Sequence, residues 1–377
     1  MTYKLNILFT SNVFTDKEIG SNGKISLYLR NEIKNLWNSL DKIANVKIFN
    51  GRFPSDAQIK NEVETFNPDI LGCHLSHIIS AEVLKNSNII AVATSTVGYN
   101  HIQRIEEDNI LITHTPGVLH ETVADYTVAL IMANLRNIVD LHNNVWNKKW
   151  TSDDKWDLDQ SLSTTITDKI LGIIGLGEIG KSVVRKLYPW GVKIFYYDLN
   201  HKKDFEKNYP LIEFKENLET IFRDSDIISI HVPLNKDTEN LIGKNLLKLM
   251  KNDSLLINTA RGGVLDIDSL INLLENKELQ INIAFDVYPI EPIDNITLER
   301  LKKIKSEQPN IRMILLPHNA SADANTRAKM NILFLKDIIK IINSSTIEDL
   351  HDVHIIPEHK TQLEEKKWRI YNYWGMK

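Results

Sequence analysis

The chain has 377 residues, 42% of them hydrophobic and 25% charged, with a net charge of −4. That length exceeds one ordinary core and predicts two domains, while the charge offers no general attraction to nucleic-acid phosphates or an anionic membrane. A single cysteine, Cys73, excludes an intrachain disulfide and a multi-cysteine metal site, and it suits a reducing, cytoplasmic setting. The start, "MTYKLNILFTSNVF", lacks the apolar core of a secretory signal. The apolar run "VADYTVALIMANL" carries Asp125 and is too short to span a bilayer. No metal, nucleic acid or membrane partner is expected.

In the first third, "LNILFT", "VKIFN", "DILGCH" and "IIAVAT" read as buried strands, with helices at "DAQIKNEVETF" and "SAEVLKN". Strand and helix in alternation predict a parallel sheet. One long helix is predicted over residues 122–147, after the Pro116-Gly117 break, followed by a polar loop to Lys169. A second alternating series then begins. Its strands are "ILGIIG", "KIFYYD", "DIISIHV", "SLLINTA", "INIAFDV" and "RMILLPH". Its helices are "EIGKSVVRKLY", "NLETIF", "NLLKLM" and "DIDSLINLLENKEL", and a last long helix follows in "DANTRAKMNILFLKDIIKIINS". The fold class is α/β.

The second series opens on a strand, the turn "GLGEIG" and a helix. Gly175 permits the tight turn, Gly177 lets backbone approach a pyrophosphate, and Gly180 lets helix and strand pack closely. Glu178 and Ile179 begin the helix, whose free N–H groups face the phosphates. Asp198 lies 18 residues past Gly180, at the end of the next strand. A carboxylate there accepts hydrogen bonds from a ribose diol and repels a 2′-phosphate, so NAD(H) is expected rather than NADP(H). Lys202 and Lys203 stand close enough to soften that preference. The alternative is a glycine turn that only packs a helix, which leaves Asp198 without a task.

Three later strands end in polar residues: "INTARGG" with Arg261, "AFDVYPIEP" with Asp286 and Glu291, and "LPHNAS" with His318. Strand ends on the carboxyl edge of an open parallel sheet line its ligand crevice. Arg261 can clamp a carboxylate through two parallel hydrogen bonds. His318 can give a proton to a carbonyl oxygen, with Glu291 orienting and stabilising its imidazolium. Singly, each has an ordinary reading: a solvated loop arginine, an acid at a helix start, a satisfied turn histidine. Their joint placement after a dinucleotide loop argues for chemistry.

From "TSTVGYNHI" through "THTPGVLHETVADYTVALIMANLRN", "GIIGLGEIG", "HVPL", "NTARGGVLD", "AFDVYPIEP" and "PHNAS", the chain resembles the NAD(P)-dependent D-2-hydroxyacid dehydrogenases. The likeness is greatest to the glyoxylate and hydroxypyruvate reductase branch and covers roughly residues 88–321. It implies two doubly wound parallel-sheet domains: a Rossmann NAD-binding domain, residues 120–319, inserted into a flavodoxin-like substrate domain of residues 1–119 and 320–346. Residues 347–377 form a tail without a counterpart, whose aromatics are expected folded back on the surface. The insertion explains why the glycine loop falls mid-chain. The resemblance implies catalytic Arg261, Glu291 and His318, with Val97 and Gly98 giving backbone N–H groups to the substrate carboxylate. It puts His231 and Pro233 beneath the cofactor, Thr259 beside it and Asp286 near the nicotinamide carboxamide. It also implies a homodimer, an active site in the cleft between the domains, and a small 2-oxo or 2-hydroxy acid as substrate. Trp150 matches a tryptophan that reaches a second subunit's active site, with interface or core packing of Trp146 and Trp150 as the alternative.

The chain departs from the pattern in places. Glu291 and His318 are 27 residues apart, longer than usual, with an inserted helix expected in "ITLERLKKIKSEQPN". Asn319 replaces a smaller or apolar residue. Formate dehydrogenases carry glutamine where Glu291 stands, and phosphite dehydrogenases carry lysine where Val97 stands. Phosphoglycerate dehydrogenase stays open, though "CHLSHIIS" offers only His74 and His77 to a phosphate, and both read as ordinary loop residues. An NADH-sensing, corepressor-like binding protein is the reading from another class.

Overall fold

The computed structural model describes residues 4–85, 87–103, 109–154 and 157–376. Residues 1–3, Lys155 and Trp156 of the predicted loop, and the last tail residue lie outside them. The chain divides into two units, Met1–Leu119 with Ala322–Lys377, and His120–Ser321.

The first unit holds five parallel strands: β1 (Asn6–Phe9), β2 (Asn45–Ile48), β3 (Ile70–Cys73), β4 (Ala91–Thr94) and β5 (Leu111–Thr113), in the order β2-β1-β3-β4-β5. This is the flavodoxin-like order. Successive side chains point to opposite faces of a strand. Accordingly Ile7, Phe9, Ile70, Ala91 and Ala93 enter one core, and Leu8, Leu71 and Val92 enter another on the opposite face. β5 lies outside the predicted set, because three buried residues are too few to show a period. The helix Leu27–Ile43 is also unpredicted, although Leu29, Ile33, Trp37 and Leu40 repeat at helical spacing and are its buried face. The tail differs from expectation as well. Leu363, Trp368, Ile370 and Tyr373 belong to the core shared with the last helix, Ala324–Asn343, and Trp368 is 1% exposed. Burying those rings removes a large apolar area from water, which a surface position would forgo.

The second unit has seven parallel strands: β6 (Ile170–Ile174), β7 (Lys193–Tyr197), β8 (Ile212–Phe214), β9 (Ile227–Ile230), β10 (Leu255–Asn258), β11 (Asn282–Phe285) and β12 (Met313–Leu315). Their order is β12-β11-β10-β9-β6-β7-β8, the Rossmann order with a seventh strand added. β8, a three-residue edge strand, is the one the hydrophobic pattern does not reveal. Both faces are covered: Ile228, Ile230 and Leu256 pack on one side, Ile227, Leu255 and Ile257 on the other. The single helix predicted over residues 122–147 is two, His120–Leu135 and Ile138–Trp146. Asn137 separates them with φ +50°, a left-handed conformation that asparagine tolerates and a helix interior does not. The predicted insertion is the helix Asn295–Glu307, started by Asp294, whose side chain accepts from the Thr297 amide. Among the described residues, no helix is long and apolar enough to cross a membrane.

Candidate active site

The glycine turn follows β6 at the point where strand order reverses, between β6 and β9. Gly175 has φ +91°, and a Cβ there would sit 2.8 Å from the His231 carbonyl oxygen. Only glycine satisfies both conditions. A Cβ on Gly180 would collide with the Gly175 carbonyl, so this glycine lets the helix Glu178–Leu187 close on the strand. Gly177 is different. It caps that helix, is exposed, and a Cβ on it would meet nothing within 4 Å. Packing does not require it, and the open space is where a ligand can approach backbone. Lys181 makes the first bond back to Gly177. The N–H groups of Glu178, Ile179 and Gly180 therefore precede the helix's own ladder and, with the dipole, favour an anion.

Asp198 sits one residue beyond β7 and faces the turn. Its Oδ2 accepts from the Leu176 amide at 2.9 Å, and its Oδ1 lies 3.1 Å from Lys202 Nζ. His231 follows β9 and packs behind Gly175. Burial pushes its pKa down to about 3, so the ring is neutral. Its Nε2 meets Ser229 Oγ at 2.9 Å, while its Nδ1 is buried without a hydrogen-bond partner. Pro233 gives its carbonyl to Thr238 Oγ1. Thr259, after β10, is 3.0 Å from Thr127 Oγ1 of the helix His120–Leu135. An open glycine cap, a carboxylate at the next strand end and an orphaned buried ring nitrogen fit a dinucleotide.

Arg261, Glu291 and His318 come from the ends of β10, β11 and β12. Asn258, the last residue of β10, shapes the first of these loops. Its Nδ2 donates to the Arg261 carbonyl and its Oδ1 accepts from the Ala260 amide. Arg261 is half-buried, and its Nη1 donates to the Ala260 carbonyl at 2.6 Å. A Cβ on Gly262 would collide with the backbone of Tyr288 and Pro289. Gly262 thus brings the arginine loop against the segment leading to Glu291. Burial lowers the pKa of Arg261, and the charge of the nearby Glu291 offsets only part of this.

Glu291 and His318 meet directly, with Oε2 and Nδ1 2.6 Å apart. The Tyr288 amide donates to Glu291 Oε1 at 3.1 Å. Burial pushes the Glu291 pKa up, but the hydrogen bond and charge of His318, the Tyr288 amide and Arg261 outweigh it and hold the carboxyl below its usual range. The acid is therefore ionised and acceptor-only, and His318 Nδ1 must donate. His318 has φ +52°, and the buried Asp286 sustains that turn. The Asp286 carbonyl accepts from the His318 amide, and its two carboxylate oxygens accept from the Asn319 and Ala320 amides, each at 2.8 Å. Asp286, read from sequence as a cofactor contact, is here engaged with backbone.

In the first unit, Val97 and Gly98 follow β4 in a loop held by Thr96, whose Oγ1 donates to the Gly98 carbonyl at 2.7 Å. His77, after β3, is buried between Thr10 Oγ1 and the Arg52 carbonyl. The His74 ring packs tilted against it, with the centroids 3.8 Å apart. Burial, with His77 nearby, pushes the pKa of His74 down to about 3. Asn258 and Tyr288 are site residues that sequence reasoning misses, because an asparagine ending an apolar strand and a tyrosine before a proline carry no motif of their own.

Residues 128–320 match the model of the D-isomer specific 2-hydroxyacid dehydrogenase, NAD binding domain. The glyoxylate reductase of Thermofilum pendens is 36% identical over 278 residues, 73% of this chain and 78% of that protein. That of Korarchaeum cryptofilum is 35% identical over 274 residues, 72% and 79%. Among solved structures, the D-lactate dehydrogenase of Aquifex aeolicus, complexed with NAD and lactic acid, superposes with a TM-score of 0.72 at 21% identity, over 93% of this chain and 99% of that one.

Proposed function

The chain belongs to the D-isomer specific 2-hydroxyacid dehydrogenases, and on that premise we propose that it reduces a small, unphosphorylated 2-oxo acid, of the glyoxylate or hydroxypyruvate kind, to the D-2-hydroxy acid with NADH. The observation that carries this reading is the 2.6 Å Glu291–His318 pair beside the Arg261 loop. We assign the second unit to the dinucleotide and the first to the substrate. The Gly177 cap and the helix N-terminus receive the pyrophosphate, and Asp198 receives the adenosine ribose. Asp198 also favours NADH over NADPH, and its contact with Lys202 tempers that preference.

The bound nicotinamide supplies the hydride that goes to the carbonyl carbon. The chain's own residues do the rest. Arg261 binds the substrate carboxylate and polarises the neighbouring carbonyl. In the first unit, the amides of Val97 and Gly98 are assigned to the substrate carboxylate on the family resemblance. His318 holds the proton for the carbonyl oxygen on Nε2, because Nδ1 is engaged by Glu291. Glu291 fixes the ring and stabilises its charged form. His74 is neutral and His77 is fully engaged, and the cation that acts on His74 is Arg327, so the choice of an unphosphorylated acid rests on the likeness to glyoxylate reductases. The buried, single Cys73 supports a cytoplasmic setting.

We assign the protein to a homodimer. The helix Ile138–Trp146 buries none of its residues, and Val145, Trp146 and Trp150 are 57%, 77% and 65% exposed. An apolar surface of that kind marks an interaction site.

The test is NADH oxidation followed at 340 nm with glyoxylate, hydroxypyruvate, pyruvate, phenylpyruvate, 2-oxoglutarate and 3-phosphohydroxypyruvate, repeated with NADPH. A small unphosphorylated acid should turn over fastest with NADH. Preference for the phosphorylated acid, or no reduction of any, would overturn the reading.

A further inference from the structure

The loop Thr96–Gly98 shows its carbonyls held one after another. The Thr96 carbonyl accepts from the Thr115 amide at 2.9 Å. The Val97 carbonyl accepts from His114 Nδ1 at 2.8 Å, and the Gly98 carbonyl accepts from Thr96 Oγ1 at 2.7 Å. In a trans peptide the C=O and the following N–H point in opposite directions. Fixing the Thr96 and Val97 carbonyls therefore directs the Val97 and Gly98 amides the other way. Those are the two donors assigned to the substrate carboxylate.

Two of the three clamps, His114 and Thr115, directly follow β5, and β5 is itself paired with the C-terminal segment. Thr113 and Ile355 form an antiparallel bridge. The His114 amide donates to the His354 carbonyl at 2.9 Å, and the Ile356 amide to the Ile112 carbonyl at 3.0 Å. Two residues on, Glu358 accepts from Tyr99 Oη at 2.8 Å, and the Tyr99 ring stands edge-on to His114 at 5.5 Å. The segment is anchored further along by the buried Trp368, and by Arg369, whose side chain donates to the Ser87 and Ile89 carbonyls.

We propose that the C-terminal segment Val353–Glu358 positions the carboxylate-receiving loop, acting through His114 and Tyr99 as positioning residues for substrate binding. This rests on the 2-oxo acid reading and adds a role for the part of the chain that the family resemblance leaves unexplained. His114 suits the task. It is buried, and burial lowers its pKa, so the ring is neutral with Nδ1 as its donor to Val97. The Glu358 contact is exposed and acts as a tether, while the paired backbone carries most of the hold.

The test uses the full chain with His114→Phe, which keeps a ring and removes the donor, with Tyr99→Phe, which keeps the ring and removes the hydroxyl, and with Glu358→Met, which keeps the length of the side chain and removes the acceptor oxygen. Two quantities are read: KM and kcat for the best 2-oxo acid, and hydrogen exchange of a peptide covering residues 95–101 without substrate. His114→Phe should raise KM about fivefold, the scale of one lost hydrogen bond, with kcat within twofold. Exchange in the loop should quicken in all three variants while β1 to β4 stay protected. Unchanged exchange overturns the proposal. So does faster exchange with unchanged KM, which would make the contacts structural only. If the unaltered protein reduces no 2-oxo acid, the functional reading fails, and the exchange comparison still decides whether the C-terminal segment holds the loop.

Discussion

At the scale of single residues, the clearest consequence concerns His318. Its Nδ1 is spent on Glu291, so in the proposed reaction Nε2 is the ring nitrogen that serves the substrate. Replacing His318 with Ala should lower kcat by about 10²–10⁴-fold, the range for losing a general acid, with NADH affinity nearly unchanged. Steady-state rates beside NADH fluorescence titration check this, and equal loss of both would refute the role. Replacing Asp198 with Ala should weaken NADH about fivefold and NADPH less, because it removes the acceptor and frees Lys202. Equal loss for both cofactors would remove that acid from cofactor choice. Glu291 also makes a pH prediction. Its folded pKa is depressed, so its pairing stabilises the protein above the usual carboxylate pKa and is lost as pH falls through the folded value. Glu291→Gln should therefore flatten the acid side of a melting-temperature profile taken between about pH 3 and pH 7. These types were readable in sequence because arginine, glutamate and histidine at strand ends carry a chemical pattern. Asn258 and Tyr288 were not, since they act by holding backbone, and that need appears only when the loops are folded.

Among elements, the loops after β10 and β11 depend on each other. Gly262 lies against the Tyr288–Pro289 backbone with no room for a methyl group. Gly262→Ala should cost roughly 2–4 kcal/mol and cut turnover, because backbone cannot move aside as a side chain can. Urea denaturation and kcat together check it, and a stable, active variant would contradict the packing. Gly177→Ala is the contrast. No protein atom opposes its Cβ, so stability should hold while dinucleotide affinity falls. Most elements were legible where apolar residues alternated or repeated with a clear period. β5 and β8 were too short to show one, and the helix boundary at Asn137 came from a left-handed residue that no hydrophobic pattern encodes.

For the molecule as a whole, the exposed apolar helix Ile138–Trp146 predicts association. Val145→Glu with Trp146→Glu should shift a dimer toward monomer in size-exclusion chromatography with light scattering, while thermal unfolding at low concentration changes little. An unaltered mass would refute association through this helix. The sequence by itself determined the α/β class and the two parallel sheets, and it marked the glycine turn and the polar strand ends as candidates. Those are properties of period and residue type, which a linear chain displays. Tertiary structure alone decided that Trp368 is core rather than surface, and that Asp286 holds the His318 turn by its carboxylate. It alone also decided that residues 354–356 pair with β5. Each of these joins groups far apart in sequence, and the free energy that joins them, burial and paired backbone, exists only once the chain has closed on itself.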